Sequence, residues 1–280
     1  MFCANIVLLI ILILLSGDVH PNPGPDSHTS SISSSNLSTV FSHNLNIIHL
    51  NIQSILPKLD ILEAEMQQYD ILIFTETWLS PQTSNDDIRI TNFDTPYRKD
   101  RQGRLGGGVA VYIRTGLRSL ERHDIIIGDI EALCIEVSIQ SHKLLLCGFY
   151  RPPNTGQDYW DLMEGSFDNL SNSSVKDLVI MGDFNCDLMK PIFASKIKNF
   201  AISYSLHQLI EEPTYYTENS ASLIDLIFVS KPDNVIYSDV SSPFIPGLVR
   251  YHCPIIITLK FRKPKVASLT RHIWRLYQIP

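Results

Sequence analysis

No two of the five cysteines (Cys3, Cys134, Cys147, Cys186 and Cys253) stand in a Cys-x-x-Cys pair, so the thiolate spacing of a structural zinc site is missing. The four in the body of the chain lie mostly in apolar runs, where cysteine behaves as a small buried hydrophobe. That pattern suits a reducing compartment, although four thiols leave room for pairing. No Gly-Lys-Ser or Gly-Lys-Thr comes after the Gly106-Gly107-Gly108 run, which excludes a Walker-type phosphate loop. An excess of positive charge is also absent, the formal net charge being −6. Nucleic-acid binders are often basic overall, so any such contact here must come from a local patch. The apolar run Ile6 to Leu15 is short for a bilayer span. At 280 residues, 44% hydrophobic and 19% charged, the chain has the length for one large globular domain with a substantial core, plus tails.

The run Ile6–Leu15 has the length of a signal-peptide core, but no Lys or Arg precedes it and Leu15-Ser16-Gly17 is a poor cleavage site. The adjoining stretch Asp18-Val19-His20-Pro21-Asn22-Pro23-Gly24-Pro25 resembles the ribosome-skipping peptides of the 2A class. The resemblance implies that the Gly24–Pro25 peptide bond is not made, with His20 standing where Glu is usual. The alternative is a Pro-rich linker after a signal peptide. Skipping would leave the product in the nucleus or cytoplasm, and a working signal peptide would secrete it. Residues 1–25 are thus expected as a leader and 26–43, rich in Ser and Thr, as a flexible linker. Sequons at Asn36, Asn169 and Asn172 matter only on the secreted route.

Beyond the linker, apolar runs predict strands over Leu45–Ile52, Asp70–Thr75, Val109–Ile113, Ala132–Ile139, Lys143–Phe149, Leu223–Val229 and Cys253–Phe261. Helices are expected after Pro57, with Leu59, Leu62 and Met66 on one side, and over Tyr159–Leu170 and Phe193–Tyr204. Strands alternating with helices, with hairpins and glycine-rich turns between some of them, point to an α/β layered fold with mixed sheets.

The richest stretch is Asp177 to Asn185. Leu178–Met181 suits a strand buried on both faces, Gly182 ends the run, and Asp183 and Asn185 come next, two apart. In extended chain both would emerge on one side, presenting a carboxylate to take a proton and an amide to hold an oxygen. As a plain reading, Gly-Asp-Phe-Asn is a turn. Glu76 directly after a strand needs a partner, and a divalent cation is a natural one. Asp225 within an apolar run needs a partner too; His252, just before the last strand, could supply it, the carboxylate then fixing the imidazole tautomer. Arg98, Lys99 and Arg101 form a basic loop suited to backbone phosphates, or simply a solvated surface.

Taken in order, Asn51, Glu76, Tyr150-Arg151-Pro152-Pro153, Gly182-Asp183-Phe184-Asn185, Ser222-Leu223-Ile224-Asp225 and His252 resemble the endonuclease/exonuclease/phosphatase superfamily. The phrases Leu50–Ser54, Phe74–Leu79, Gly106–Tyr112 and Ser222–Phe228 are similar to those of non-LTR retrotransposon endonuclease domains. The resemblance covers Asn44 to Phe261, so residues 44–262 are expected as that domain. It implies a four-layer α/β sandwich of two packed mixed sheets flanked by helices. It further implies Mg²⁺ or Mn²⁺ on Glu76 and Asn51, Asp183 activating water, Asn51 and Asn185 orienting the phosphate, Tyr150 contacting it, and His252, held by Asp225, donating to a phosphate oxygen. DNA would be the substrate, nicked to leave a 3′-hydroxyl, with Arg98, Lys99, Arg101, Thr214 and Ser222 as DNA contacts; no small-molecule cofactor is expected, and of the oligomeric states, which the sequence leaves open, a monomer is the expectation.

One position departs from the pattern. The family usually reads Ser-Asp-His before the last strand, and here Arg250-Tyr251-His252 stands instead. A neutral phenol in place of an acid implies weaker cation binding. The basic residues 263–280 resemble the linker towards a reverse transcriptase, so the chain is expected to be a fragment. Two other readings stay open: a DNA-binding remnant without catalysis, and a secreted phosphatase or nuclease of the same superfamily.

Overall fold

The computed structural model describes residues 40–263; the leader, nearly all of the linker and the basic tail lie outside the described residues. The elements in chain order are β1 (Asn44–Asn51), α1 (Leu59–Glu65), β2 (Ile71–Thr75), β3 (Tyr97–Lys99), β4 (Val109–Ile113), β5 (Arg118–Glu121), β6 (Glu131–Ile139), β7 (His142–Tyr150), α2 (Gln157–Asn172), β8 (Asp177–Asp183), α3 (Pro191–Ser203), β9 (His207–Gln208), β10 (Tyr215–Thr217), β11 (Ser220–Ser222), β12 (Asp225–Val229), β13 (Val235–Val240), β14 (Tyr251–His252) and β15 (Ile255–Arg262). They form two six-stranded sheets, ordered β13-β15-β1-β2-β4-β3 and β5-β6-β7-β8-β12-β9, and a small sheet β11-β10-β14. Both large sheets are mixed: β1 and β2 are parallel, as are β7 and β8, while their other neighbours are antiparallel.

The apolar runs read as near-continuous because these strands bury both faces. In the first sheet Ile47, Ile71, Ile73, Val109 and Val111 point into the core shared with the second sheet. Their sequence neighbours Ile48, Leu72, Phe74, Ala110 and Tyr112 point the other way, onto Leu62 and Met66 at α1. On the second sheet, Phe149 stacks on Phe184 at 5.3 Å and meets Phe167 of α2 edge-on. Trp160, Met163 and Phe167 are the buried stripe of α2, and α3 packs Phe200 against Phe167 at 4.5 Å. The result is helix, sheet, sheet, helix: the four-layer sandwich. None of the described helices is long and apolar enough to cross a membrane.

Three expectations are corrected. Cys134 and Cys147 are not free hydrophobes: they face each other across the β6–β7 hairpin and form a disulfide, leaving Cys186 and Cys253 as buried thiols. The glycine of Gly-Asp-Phe-Asn does not end a strand. Gly182 stays in β8 opposite Phe149, where a Cβ would meet the Phe149 carbonyl oxygen at 1.8 Å, so the strand crosses this point only with hydrogen as side chain. Finally, the strand expected from Leu223 begins at Asp225, which puts that acid at a strand end rather than inside a run.

Candidate active site

Strand ends from both sheets converge at one rim. Register does most of the placing: Asn51 is paired with Thr75 at the ends of β1 and β2, Tyr150 with Asp183 at the ends of β7 and β8, and Asp183 with Asp225 where β12 starts. His252 lies in β14 opposite Tyr215, in the small sheet.

Asp183 sits at the centre and is almost wholly buried. Its Oδ2 accepts the Asn51 amide at 2.9 Å, and its Oδ1 accepts the backbone N–H of Asn185 at 2.9 Å, an Asx turn. Burial raises its pKa to about 7, reinforced by the Asp225 carboxylate and opposed by His252 and the two hydrogen bonds. Asp225 is fully buried and its Oδ2 takes two donors, Thr214 Oγ1 at 2.7 Å and His252 Nδ1 at 2.9 Å. For His252, burial acts against protonation, but the carboxylates of Asp225, Asp183 and Glu76 outweigh it and raise its pKa. Asp183, Asp225 and His252 each offer a ligand atom, all within 4.8 Å of one another.

Glu76 comes directly after β2 with φ 53°, a left-handed conformation that non-glycine residues adopt at a cost and that clusters at functional sites. The turn aims its carboxylate at three neutral donors. Oε2 accepts the Gly107 N–H at 2.7 Å and the Trp78 indole N–H; Oε1 accepts the Tyr150 hydroxyl. Gly107 has φ 70°, the left-handed region that favours glycine, and a Cβ there would press on the Arg101 and Glu131 side chains at 2.2–2.3 Å. Burial, with Glu76 and Asp183 nearby, raises the Tyr150 pKa, so the phenol stays protonated and donates.

The strand alternation expected to bring Asp183 and Asn185 out together ends at Asp183, the last residue of β8. The chain leaves extended conformation after Asp183, and Asn185 adopts φ 48° with its amide donating to the Arg151 carbonyl at 2.8 Å. The expected DNA contacts separate. Thr214 is fully buried and cannot reach DNA; its hydroxyl accepts the N–H of Ile224 and Asp225 while donating to Asp225. Arg98 has its donors taken by Asp100, Asn85 and the carbonyls of Ser80 and Thr83, so it ties a loop together. Lys99 pairs with Asp129 at 3.1 Å and Arg101 with Glu131 at 2.7 Å, and Ser222 is half-buried on β11. Sequence reading missed His49, fully buried in β1, with Nε2 3.1 Å from Thr75 Oγ1 and Nδ1 3.8 Å from Asp225 Oδ1. Burial lowers its pKa to about 4, against the pull of Asp225. A histidine in an apolar run, two residues before Asn51, was the available signal.

A divalent cation fits this rim. Glu76 offers carboxylate oxygens, and Asn51 Oδ1 is buried without a hydrogen-bond partner among the described residues; both are the hard oxygen donors that Mg²⁺ and Mn²⁺ take. Tyr251 brings no carboxylate, and its ring stacks on Tyr216 at 5.4 Å.

No curated protein matches the chain by sequence. Among solved structures it resembles the endonuclease domain of TRAS1, a telomere-specific non-LTR retrotransposon, at 14% identity and a TM-score of 0.62, over 79% of this chain and 100% of that one. An AP endonuclease from Archaeoglobus fulgidus is similar at 16% identity and TM-score 0.57, over 77% of this chain and 99% of its own. A 3′ phosphatase from Neisseria bound to a product DNA hairpin is similar at 14% and 0.58, again over 77% and 99%. At these identities the likeness is one of fold. The sequence model of the endonuclease/exonuclease/phosphatase family matches residues 44–246, a span that takes in every strand end at the rim except the one bearing His252, and the chain belongs to that family.

Proposed function

We propose that the domain is a divalent-metal-dependent phosphodiesterase that nicks DNA and leaves a 3′-hydroxyl, with its turnover lowered by Tyr251. The observation that carries this reading is the seating of Asp183: a buried carboxylate at a strand end, oriented by Asn51 and lying within 4.8 Å of the Asp225–His252 pair. Burial and the neighbouring Asp225 carboxylate raise the pKa of this carboxyl, which makes it a stronger base towards water. The Asn51 amide on Oδ2 and the Asn185 backbone N–H on Oδ1 fix the carboxylate plane, leaving the remaining lone pairs to take the proton of the attacking water. His252, protonated and anchored through Nδ1, directs Nε2 at a phosphate oxygen as negative charge builds there. The Tyr150 hydroxyl adds a neutral donor on the Glu76 side. Glu76 and Asn51 would hold Mg²⁺ or Mn²⁺, which when bound neutralises phosphate charge and eases departure of the 3′ oxygen. The relatives named for action on DNA support DNA as the substrate.

A second reading, DNA binding without turnover, is favoured by one observation: the family acid is replaced by Tyr251, whose ring lies on Tyr216 rather than supplying a carboxylate. Incubating supercoiled plasmid with the chain in Mg²⁺ and in EDTA, then extending the ends with a DNA polymerase, tests the first reading. Metal-dependent open circles with extendable 3′ ends support it. Salt-dependent binding without open circles supports the second.

A further inference from the structure

Asp225 touches a second imidazole that the reaction above leaves idle. Its Oδ2 is taken by His252 and Thr214. Its Oδ1 faces Nδ1 of His49 at 3.8 Å, and among the described residues neither of these two atoms has a hydrogen-bond partner. Both residues are fully buried. An unpaired buried polar atom is costly, and here two stand opposite each other: a carboxylate oxygen that only accepts, and a ring nitrogen able to donate. The far side of the ring decides the tautomer. Thr75 Oγ1 lies 3.1 Å from Nε2; with its hydroxyl donating there, the ring proton sits on Nδ1 and points at Asp225. The order across the core is then Thr75, His49, Asp225, His252, spanning β2, β1, β12 and β14. At 3.8 Å the two atoms stand beyond hydrogen-bond length but within ion-pair range, and among the described residues each is the other's facing polar atom with no hydrogen-bond partner of its own.

We propose that His49 is a positioning residue for His252: its Nδ1–H holds Oδ1 of Asp225, fixing the carboxylate plane so that Oδ2 keeps the His252 ring aimed at the phosphate. The inference rests on the reading of His252 as the donor to that phosphate. His49 lies behind the carboxylate and acts only through it. The device joins the two sheets at the site a second time, beside the Asn51–Asp183 bond, and uses a side chain that no motif residue supplies.

Two amides separate positioning from mere packing. In His49→Asn the amide nitrogen falls where Nδ1 was, towards Asp225. In His49→Gln it falls where Nε2 was, towards Thr75. The readouts are plasmid-nicking kinetics of the full chain in Mg²⁺ and the NMR signal of the His252 Nδ1 proton in the same chain without metal. The Gln variant is expected to lose about 10- to 100-fold in kcat with KM unchanged, as for loss of other outer partners, and its His252 proton signal to broaden through faster exchange. The Asn variant is expected to keep both near the unsubstituted values. Equal loss in Asn and Gln, a change confined to KM, or an unaltered His252 signal in Gln would overturn the proposal. If the unsubstituted chain shows no nicking in Mg²⁺, the nuclease reading fails, and the His252 proton signal in the two variants then decides the role of His49 alone.

Discussion

The amide of Asn51 donates to Oδ2 of Asp183 at 2.9 Å across 132 residues of sequence, joining the end of a strand in one sheet to the end of a strand in the other. Asn51→Leu leaves that buried carboxylate oxygen without its partner, at a cost of about 1–3 kcal/mol, and removes the amide oxygen proposed to hold the cation with Glu76. Denaturant unfolding should show the loss of stability without a change in slope. Nicking should fall by more than the drop in folded population accounts for.

Asp183 makes the stability of the metal-free protein depend on pH in a defined direction. Its pKa is raised from an ordinary 3.8 to about 7, so the unfolded chain gives up this proton first. The carboxyl therefore opposes folding increasingly as pH rises from about 4 to about 7. Asp183→Asn removes the titration, and its stability relative to the unsubstituted chain should grow over that window. A stability difference that is flat with pH would show that Asp183 titrates in the ordinary range.

Thr214→Val should act through Asp225 and not through DNA. The hydroxyl is one donor to the carboxylate and the acceptor for two backbone N–H groups, so its loss costs about 1–3 kcal/mol, while Thr214→Ser keeps most of it. The salt dependence of DNA binding, which counts phosphate contacts, should be the same in all three proteins.

Much of the fold was legible in the sequence because both large sheets are buried on both faces. Runs such as Val109–Ile113 and Leu178–Met181 carry that signature, and the structure places strands on them. Short, half-exposed strands carry no such run. That is why β3, β5, β10 and β11, with patterns of partly buried residues, were not legible, and why the small sheet holding His252 was missed. Ordered motifs marked Asn51, Glu76, Tyr150, Asp183, Asp225 and His252, and the structure brings them to one rim. What they did not reveal was the hydrogen-bond traffic between them. Thr214 was expected as a DNA contact because sequence spacing says nothing of the backbone that folds over it, and the strand alternation applied to Asn185 stops at Asp183, where β8 ends. His49 hid in an apolar run for the same reason the run was readable: its sequence neighbours Ile47, Ile48 and Leu50 are buried core, while its polar partners Thr75 and Asp225 lie on other strands.

Gly182→Ala tests the close pairing of β7 and β8 that sets Tyr150 beside Asp183. A methyl there would meet backbone rather than a flexible side chain, 1.8 Å from the Phe149 oxygen. The strands must part, so destabilisation at or above the about 1–3 kcal/mol of ordinary overpacking is expected, read as a fall in the thermal midpoint. A midpoint unchanged from the unsubstituted chain would show that the two strands are not held this close.

The decisive measurement is the Mg²⁺-dependent rate of single-strand nicking of supercoiled plasmid by the full chain, taken side by side with Tyr251→Asp. Open circles should form only when Mg²⁺ is present, at a rate about 10- to 100-fold higher in Tyr251→Asp, as expected when a carboxylate that helps hold the cation is restored. No nicking by either protein would contradict the nuclease assignment, and nicking by the unsubstituted chain at the rate of Tyr251→Asp would contradict the role given to Tyr251.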